Sequence, residues 1–162
     1  MERAIIEILF WIILFIILVI DFKKKIIPDT LTIIIFILGI IKIIFFDKDL
    51  ENKLIGVGTY PILFNILYGY GDKIFKKEII GFGDIKLLSS IGFYLGYFGL
   101  INLIIYYNII FLLAPIYGII YKVYYKENEI PFAPIIILAT FIFNILQGKL
   151  IWKIKVFYWL MQ

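Results

Sequence analysis

The sequence predicts an all-α integral membrane protein, a polytopic bundle of about six transmembrane helices. Three observations predict it. Hydrophobic residues make up 64% of the 162 residues and charged residues only 17%. A soluble domain averages roughly 45–50% apolar and 25% charged, so this chain has too little polar surface to cover a soluble fold and too much apolar surface to stay disordered. The mean hydropathy is +1.04. The apolar residues also fall into long unbroken runs without the alternation of a half-buried strand, and in lipid a helix satisfies its own backbone groups.

The first run, Ala4 to Ile20, ends at Asp21. It follows Glu2, Arg3 and Glu7 rather than a basic segment, and Lys23, Lys24 and Lys25 come after it instead of small residues. It therefore reads as a retained span, not a cleaved leader. The second run is Leu31 to Phe46, broken by Lys42, whose stem can snorkel to the nearer interface. The third is Leu54 to Tyr70, with Pro61 and Asn65 inside it. The fourth, Ile85 to Phe98, is short and rich in small residues, and Gly99 turns it into the fifth, Leu100 to Tyr121. Pro131-Phe132-Ala133-Pro134 opens the sixth, which ends near Leu146. Pro28, Pro131 and Pro134 suit the first turns of helices. Gly92, Gly96 and Gly99 suit close helix packing, and the Tyr and Trp residues near run ends suit an aromatic belt. Residues 1–148 form the helical membrane unit. Residues 149–162, alternating basic and aromatic, form an interfacial tail.

The lysines orient the bundle. Lys23, Lys24 and Lys25, then Lys73, Lys76 and Lys77, then Lys122 and Lys126 fall in the loops after the first, third and fifth runs. These loops lie on one side, read as the cytoplasm. Both termini then lie outside, which the tail lysines Lys149, Lys153 and Lys155 oppose. The net charge of +4 is read as loop charge, and no nucleic-acid partner is expected.

The chain has no Cys and no His. Disulfides, thiolate zinc sites, cysteine nucleophiles, a Ser-His-Asp triad and an HExxH site are all excluded. Proton transfer falls to carboxylates or lysine. Two aspartates sit at helix ends on the predicted cytoplasmic edge, Asp21 after the first run and Asp84 before the fourth. Asp84 also suits an ordinary helix cap, and the lysines beside Asp21 can simply neutralise it. Ionisable groups at membrane depth are costly, which favours a functional pair.

The surrounding residues carry a resemblance. Gly81-Phe82-Gly83-Asp84 is a GxGD motif, continued by Ile85-Lys86-Leu87-Leu88. Asp21 is followed by Ile27-Pro28-Asp29-Thr30-Leu31-Thr32, and Gly92 to Gly96 and Ile130-Pro131-Phe132-Ala133-Pro134 come downstream. In this order the segments resemble the type IV prepilin peptidase family, the bacterial branch of the GxGD aspartyl proteases, in a form lacking the amino-terminal methylase domain. The resemblance implies an endopeptidase that removes the basic leader from prepilins or pseudopilins at the cytoplasmic face of the bacterial inner membrane. The substrate partner is then a basic leader joined to a hydrophobic helix, the lipid bilayer is the second partner, and no cofactor or metal is needed.

By motif position the catalytic pair is Asp21 and Asp84, with Asp29 of the Pro-Asp pair as the competing first aspartate. Gly81, Gly83, Lys86, Glu78, Pro28, Pro131, Phe132 and Pro134 are the supporting positions. Gly81 and Gly83 permit unusual backbone conformations, as a plain turn or as a mobile loop bringing Asp84 to Asp21. Lys86 either orients a carboxylate or snorkels to headgroups, and Glu78 either receives the basic leader or is a solvated loop charge. Ala133 stands where the family pattern has glycine. Without paired cysteines, no N-methylation is expected. Helix ends assign the charged form to Asp84 and the neutral form to Asp21. The competing readings are an inactive membrane scaffold or transport component, and a carboxylate-bound Mg²⁺ enzyme.

Overall fold

The computed structural model describes residues 2–75, 80–126 and 130–160, the side chains of 72–75 and 149–160 excepted. Among these residues the α-helices are α1 (Glu2–Lys24), α2 (Asp29–Lys42), α3 (Leu50–Thr59), α4 (Ile62–Phe75), α5 (Phe82–Leu95), α6 (Leu100–Tyr125) and α7 (Ala133–Leu160). A π-helical turn, Ile43–Asp47, extends α2. No strand occurs among the described residues. Among the described residues three helices are long and apolar enough to cross a membrane: α1, α2 with its π-helical turn, and α6.

The third apolar run is two helices rather than one span. Pro61 separates α3 from α4, because proline lacks an N–H and its ring clashes with the preceding turn. The chain closes α3 with the Tyr60 N–H on the Gly56 carbonyl at 3.2 Å and resumes with the Asn65 N–H on Pro61 at 2.8 Å. Helix α3 also begins earlier than the apolar run, at Leu50, since the Asp49 carboxylate accepts from the Asn52 N–H. That bond and one from the Asn52 side chain hold the Asp49 carboxyl below its usual range. Helix α7 does not end near Leu146; its backbone continues as one helix to Leu160.

The buried face of α1 is Phe10, Leu14, Ile17 and Asp21. Steps of four, three and four residues keep them on one side of a helix. On the other side Ile8, Ile12 and Phe15 are exposed, as a lipid-facing flank requires. Asp21 thus continues a core stripe and must point inward. The most enclosed helix is α5, with Ile85, Leu87, Leu88, Ile91, Phe93 and Tyr94 all buried. It packs most closely on α2 and α3, and also meets α4 and α7.

Gly56 of α3 and Gly92 of α5 set that spacing. A Cβ on Gly92 would stand 2.3 Å from the Gly56 carbonyl oxygen, so the helices touch backbone to backbone there. Gly96 also packs against α3, its backbone 3.3 Å from where a Cβ on Gly56 would stand, and both Gly96 and Gly99 serve the turn. Their φ values of +89° and +94° are left-handed, where glycine is strain-free, and they turn the chain from α5 into α6.

A charged cluster closes the end of the bundle at the start of α1. Lys53 is buried and donates to the Tyr94 carbonyl at 2.6 Å and the Leu95 carbonyl at 3.3 Å. These carbonyls end α5 and lack helical partners. The Lys53 ammonium also lies 3.3 Å from Asp47, which Arg3 approaches to 3.4 Å and Lys42 to 3.7 Å. Lys42 therefore does not snorkel. It turns inward to Asp47 and sits 4.5 Å from the centre of the Tyr94 ring, a cation–π contact. Tyr94 stacks on Phe10 at 3.8 Å. Tyr60, Tyr94 and Tyr106 are core residues rather than belt residues.

Candidate active site

The opposite end of the bundle gathers the last turn of α1, the first residues of α2 and α5, and the segment before α7. They surround a cleft of about 1070 Å³. Asp21, Asp29 and Asp84 line it with Lys25 and Lys86, and α6 contributes Ala114 and Gly118 to its wall.

Asp21 is only 4% exposed, as its place on the α1 core stripe dictates. Its Oδ2 accepts the Ala133 N–H at 3.0 Å. Ala133 is the first residue of α7, so this carboxyl occupies one of the free donors at a helix N-terminus. The Ile130–Pro134 segment delivers that donor. Pro131 and Phe132 line the cleft, and the Phe132 ring rests 5.7 Å from that of Phe64. Pro134 sits in the first turn of α7, where its missing N–H costs no helical bond.

Asp84 is 8% exposed. It is the third residue of α5 and reaches back, its Oδ2 accepting the Gly81 N–H at 3.2 Å. Its own N–H donates to the Gly81 carbonyl at 3.0 Å. The carboxylate is a helix cap and a cleft wall at once. Asp21 and Asp84 line the same cleft, and two carboxylates in one enclosed site repel each other. Both carboxyls are held by helix N-termini, that of α7 for Asp21 and that of α5 for Asp84. Helix position therefore does not separate a neutral Asp21 from a charged Asp84, contrary to the expectation from α1 alone.

Gly81 and Gly83 do not adopt unusual conformations, since the glycines with positive φ are Gly96 and Gly99. They matter for space. A Cβ on Gly83 would meet the side chain of Ile27 at 3.3 Å, and one on Gly81 would meet Asp84 Oδ2 at 3.4 Å.

Asp29 is placed differently from the buried pair. It is the first residue of α2, after Pro28 at the N-cap. Its side chain is 64% exposed and paired with the Lys86 ammonium. Lys86, with its ammonium 5.3 Å from the Phe82 ring centre, thus orients a carboxylate instead of reaching for headgroups. Glu78 lies outside the described residues, as do Lys76 and Lys77.

Sequence reasoning missed two contributors. The Ala133 N–H is main chain and carries no residue signature. The wall from α6 was hidden in a uniformly apolar run, although Ala114 and Gly118, four apart, form a small-residue pair on one helix face. Among the described residues no three Asp or Glu side chains converge as a metal cage would need.

No curated protein and no solved structure matches the chain. The sequence model of the type IV leader peptidase family, a family of proteases, matches residues 8–152. That span takes in Asp21, Asp29, Asp84 and the Ala133 segment. With the match running from α1 into α7, the chain belongs to the type IV leader peptidase family.

Proposed function

We propose that the protein is an aspartic endopeptidase that removes the basic leader from type IV prepilins or pseudopilins, with Asp21 and Asp84 as its catalytic pair. The observation that carries this reading is two buried carboxyls on one cleft, in a chain of a leader peptidase family. Two such carboxyls ionise together only at high cost, so they share a proton. The ionised member takes a proton from water as it attacks the scissile carbonyl. The protonated member donates to the carbonyl oxygen and then helps protonate the leaving amine.

Each carboxyl is anchored by one main-chain N–H on a single oxygen. That anchor fixes its orientation and leaves further lone pairs for water and substrate. The cleft matches the upper range of about 300–1,000 Å³ seen for ligand pockets, enough for an extended peptide segment. Hydrolysis needs only water, so no cofactor enters the scheme. The lysines at this end, Lys23, Lys24, Lys25, Lys122 and Lys126, support a cytoplasmic-facing site by the positive-inside rule.

The test is cleavage of a type IV prepilin in membranes by the intact protein and by Asp21→Ala, Asp84→Ala and Asp29→Ala at equal expression. Losing either member of the pair removes about 10²–10⁴-fold of activity, while Asp29→Ala still cleaves. Cleavage that survives Asp21→Ala and fails with Asp29→Ala moves the first aspartate to the Pro-Asp segment. Cleavage abolished by a chelator supports the Mg²⁺ reading, and no cleavage of any prepilin supports the scaffold.

A further inference from the structure

The Tyr117 hydroxyl is buried and has no hydrogen-bond partner among the described residues. An unpaired buried hydroxyl is costly and calls for an explanation. Its location supplies one. Tyr117 lies on α6 next to Gly118 and three residues from Ala114, both of which line the cleft. Its ring stands 5.8 Å from that of Tyr121, and Tyr121 meets Phe22 edge-on at 6.0 Å. Phe22 directly follows Asp21. The aromatic contact therefore fastens this stretch of α6 to the turn of α1 that carries Asp21.

We propose that Tyr117 is a positioning residue for Asp21: its hydroxyl donates to a free lone pair of that carboxyl when substrate fills the cleft. This role rests on the aspartic peptidase reading. Asp21 has one oxygen on the Ala133 N–H, and a carboxylate accepts up to about four hydrogen bonds. A second donor from α6 fixes the carboxyl plane, which a single N–H does not. A phenol donor to a carboxylate is short and charge-assisted, and stronger than a neutral bond. The bond would join two helices that the Phe22–Tyr121 ring contact already links.

The test is steady-state cleavage of a prepilin by the purified protein carrying Tyr117→Phe, which keeps the ring and removes only the O–H. The expected result is a fall in kcat of about 10–100-fold, the range for a hydrogen bond to a charged group, with KM and melting temperature unchanged. Tyr124→Phe, on the same helix with a side chain 79% exposed, keeps full kcat. Wild-type kcat in Tyr117→Phe, while Asp21→Asn and Asp84→Asn are inactive, overturns the role and leaves the aspartic reading standing. A raised KM at unchanged kcat overturns it as well, because that is substrate binding. A kcat loss that tracks a lowered melting temperature makes the hydroxyl structural and also overturns it. No cleavage by the intact protein overturns the aspartic reading and this role together.

Discussion

Replacing Gly92 by alanine adds one methyl group at the tightest contact between α3 and α5. The new Cβ would lie 2.3 Å from the Gly56 carbonyl oxygen, 2.9 Å from its carbon and 3.0 Å from the Tyr60 Cβ. The two nearest atoms are backbone, so no rotamer change relieves the clash. To bring the closest contact to 3.0 Å the helices must part by about 0.7 Å. Overpacking of this kind costs about 1–3 kcal/mol. The upper end applies here, because parting α3 from α5 also stretches the Lys53 bonds to Tyr94 and Leu95. For a chain of this length that is a fall in Tm of about 6–12 °C. Asp84 lies eight residues back on the same helix, about 12 Å along its axis, and moves with it. A displacement near 1 Å at a reacting group costs about 10²-fold in rate, so activity falls at least about tenfold. Circular dichroism melts in detergent and prepilin cleavage in membranes measure the two effects. Gly58→Ala is the control, since a Cβ there meets nothing within 4 Å and alanine favours the helix by up to about 1 kcal/mol. Wild-type Tm and activity in Gly92→Ala refute the backbone contact and the coupling drawn from it.

Lys53→Met removes a buried ammonium from two α5 carbonyls and from Asp47; it lowers stability by about 3 kcal/mol or more, read as a lower Tm. Lys86→Gln breaks the half-exposed pair with Asp29, and stability changes by less than about 1 kcal/mol, with prepilin cleavage retained within about tenfold. Tyr106 and Thr140 share a buried hydroxyl bond of 3.0 Å, and Thr140 also donates to Ile136 at 2.7 Å. Tyr106→Phe leaves Thr140 partnered and costs about 0.5–1.5 kcal/mol, whereas Thr140→Val strands the tyrosine hydroxyl and costs about 1–3 kcal/mol. The reverse order of melting temperatures contradicts that account.

The helical class and most element starts were legible because lipid-compatible helices write themselves as long apolar runs. Asp84 was legible twice over, as the last letter of Gly81-Phe82-Gly83-Asp84 and as an acid at a helix start. Asp21 was legible as an ionisable residue at a span end, and its spacing from Phe10, Leu14 and Ile17 shows which way it faces. What a local pattern cannot carry is contact between distant segments. The Ala133 N–H comes to Asp21 from 112 residues away and has no side-chain signature. The inward turn of Lys42 depends on Asp47 and Tyr94, which meet it only in the folded bundle. Pro61 was visible inside the third run, yet whether a proline bends a helix or divides it is decided by packing around it. Tyr117 looked like one aromatic among many on α6, because the absence of a hydrogen-bond partner is a property of the fold.

The bond between Ala133 and Asp21 also says what residue 133 is allowed to be. The contact is made by the amide, so side-chain chemistry at this position is irrelevant to it. Two bounds remain. The side chain is fully enclosed, which admits only the smallest residues, and the amide must carry a hydrogen, which bars proline even though prolines stand two places before and one place after. Residue 133 is thus restricted by space and by the need for an amide hydrogen, while it contributes to the site only through its backbone.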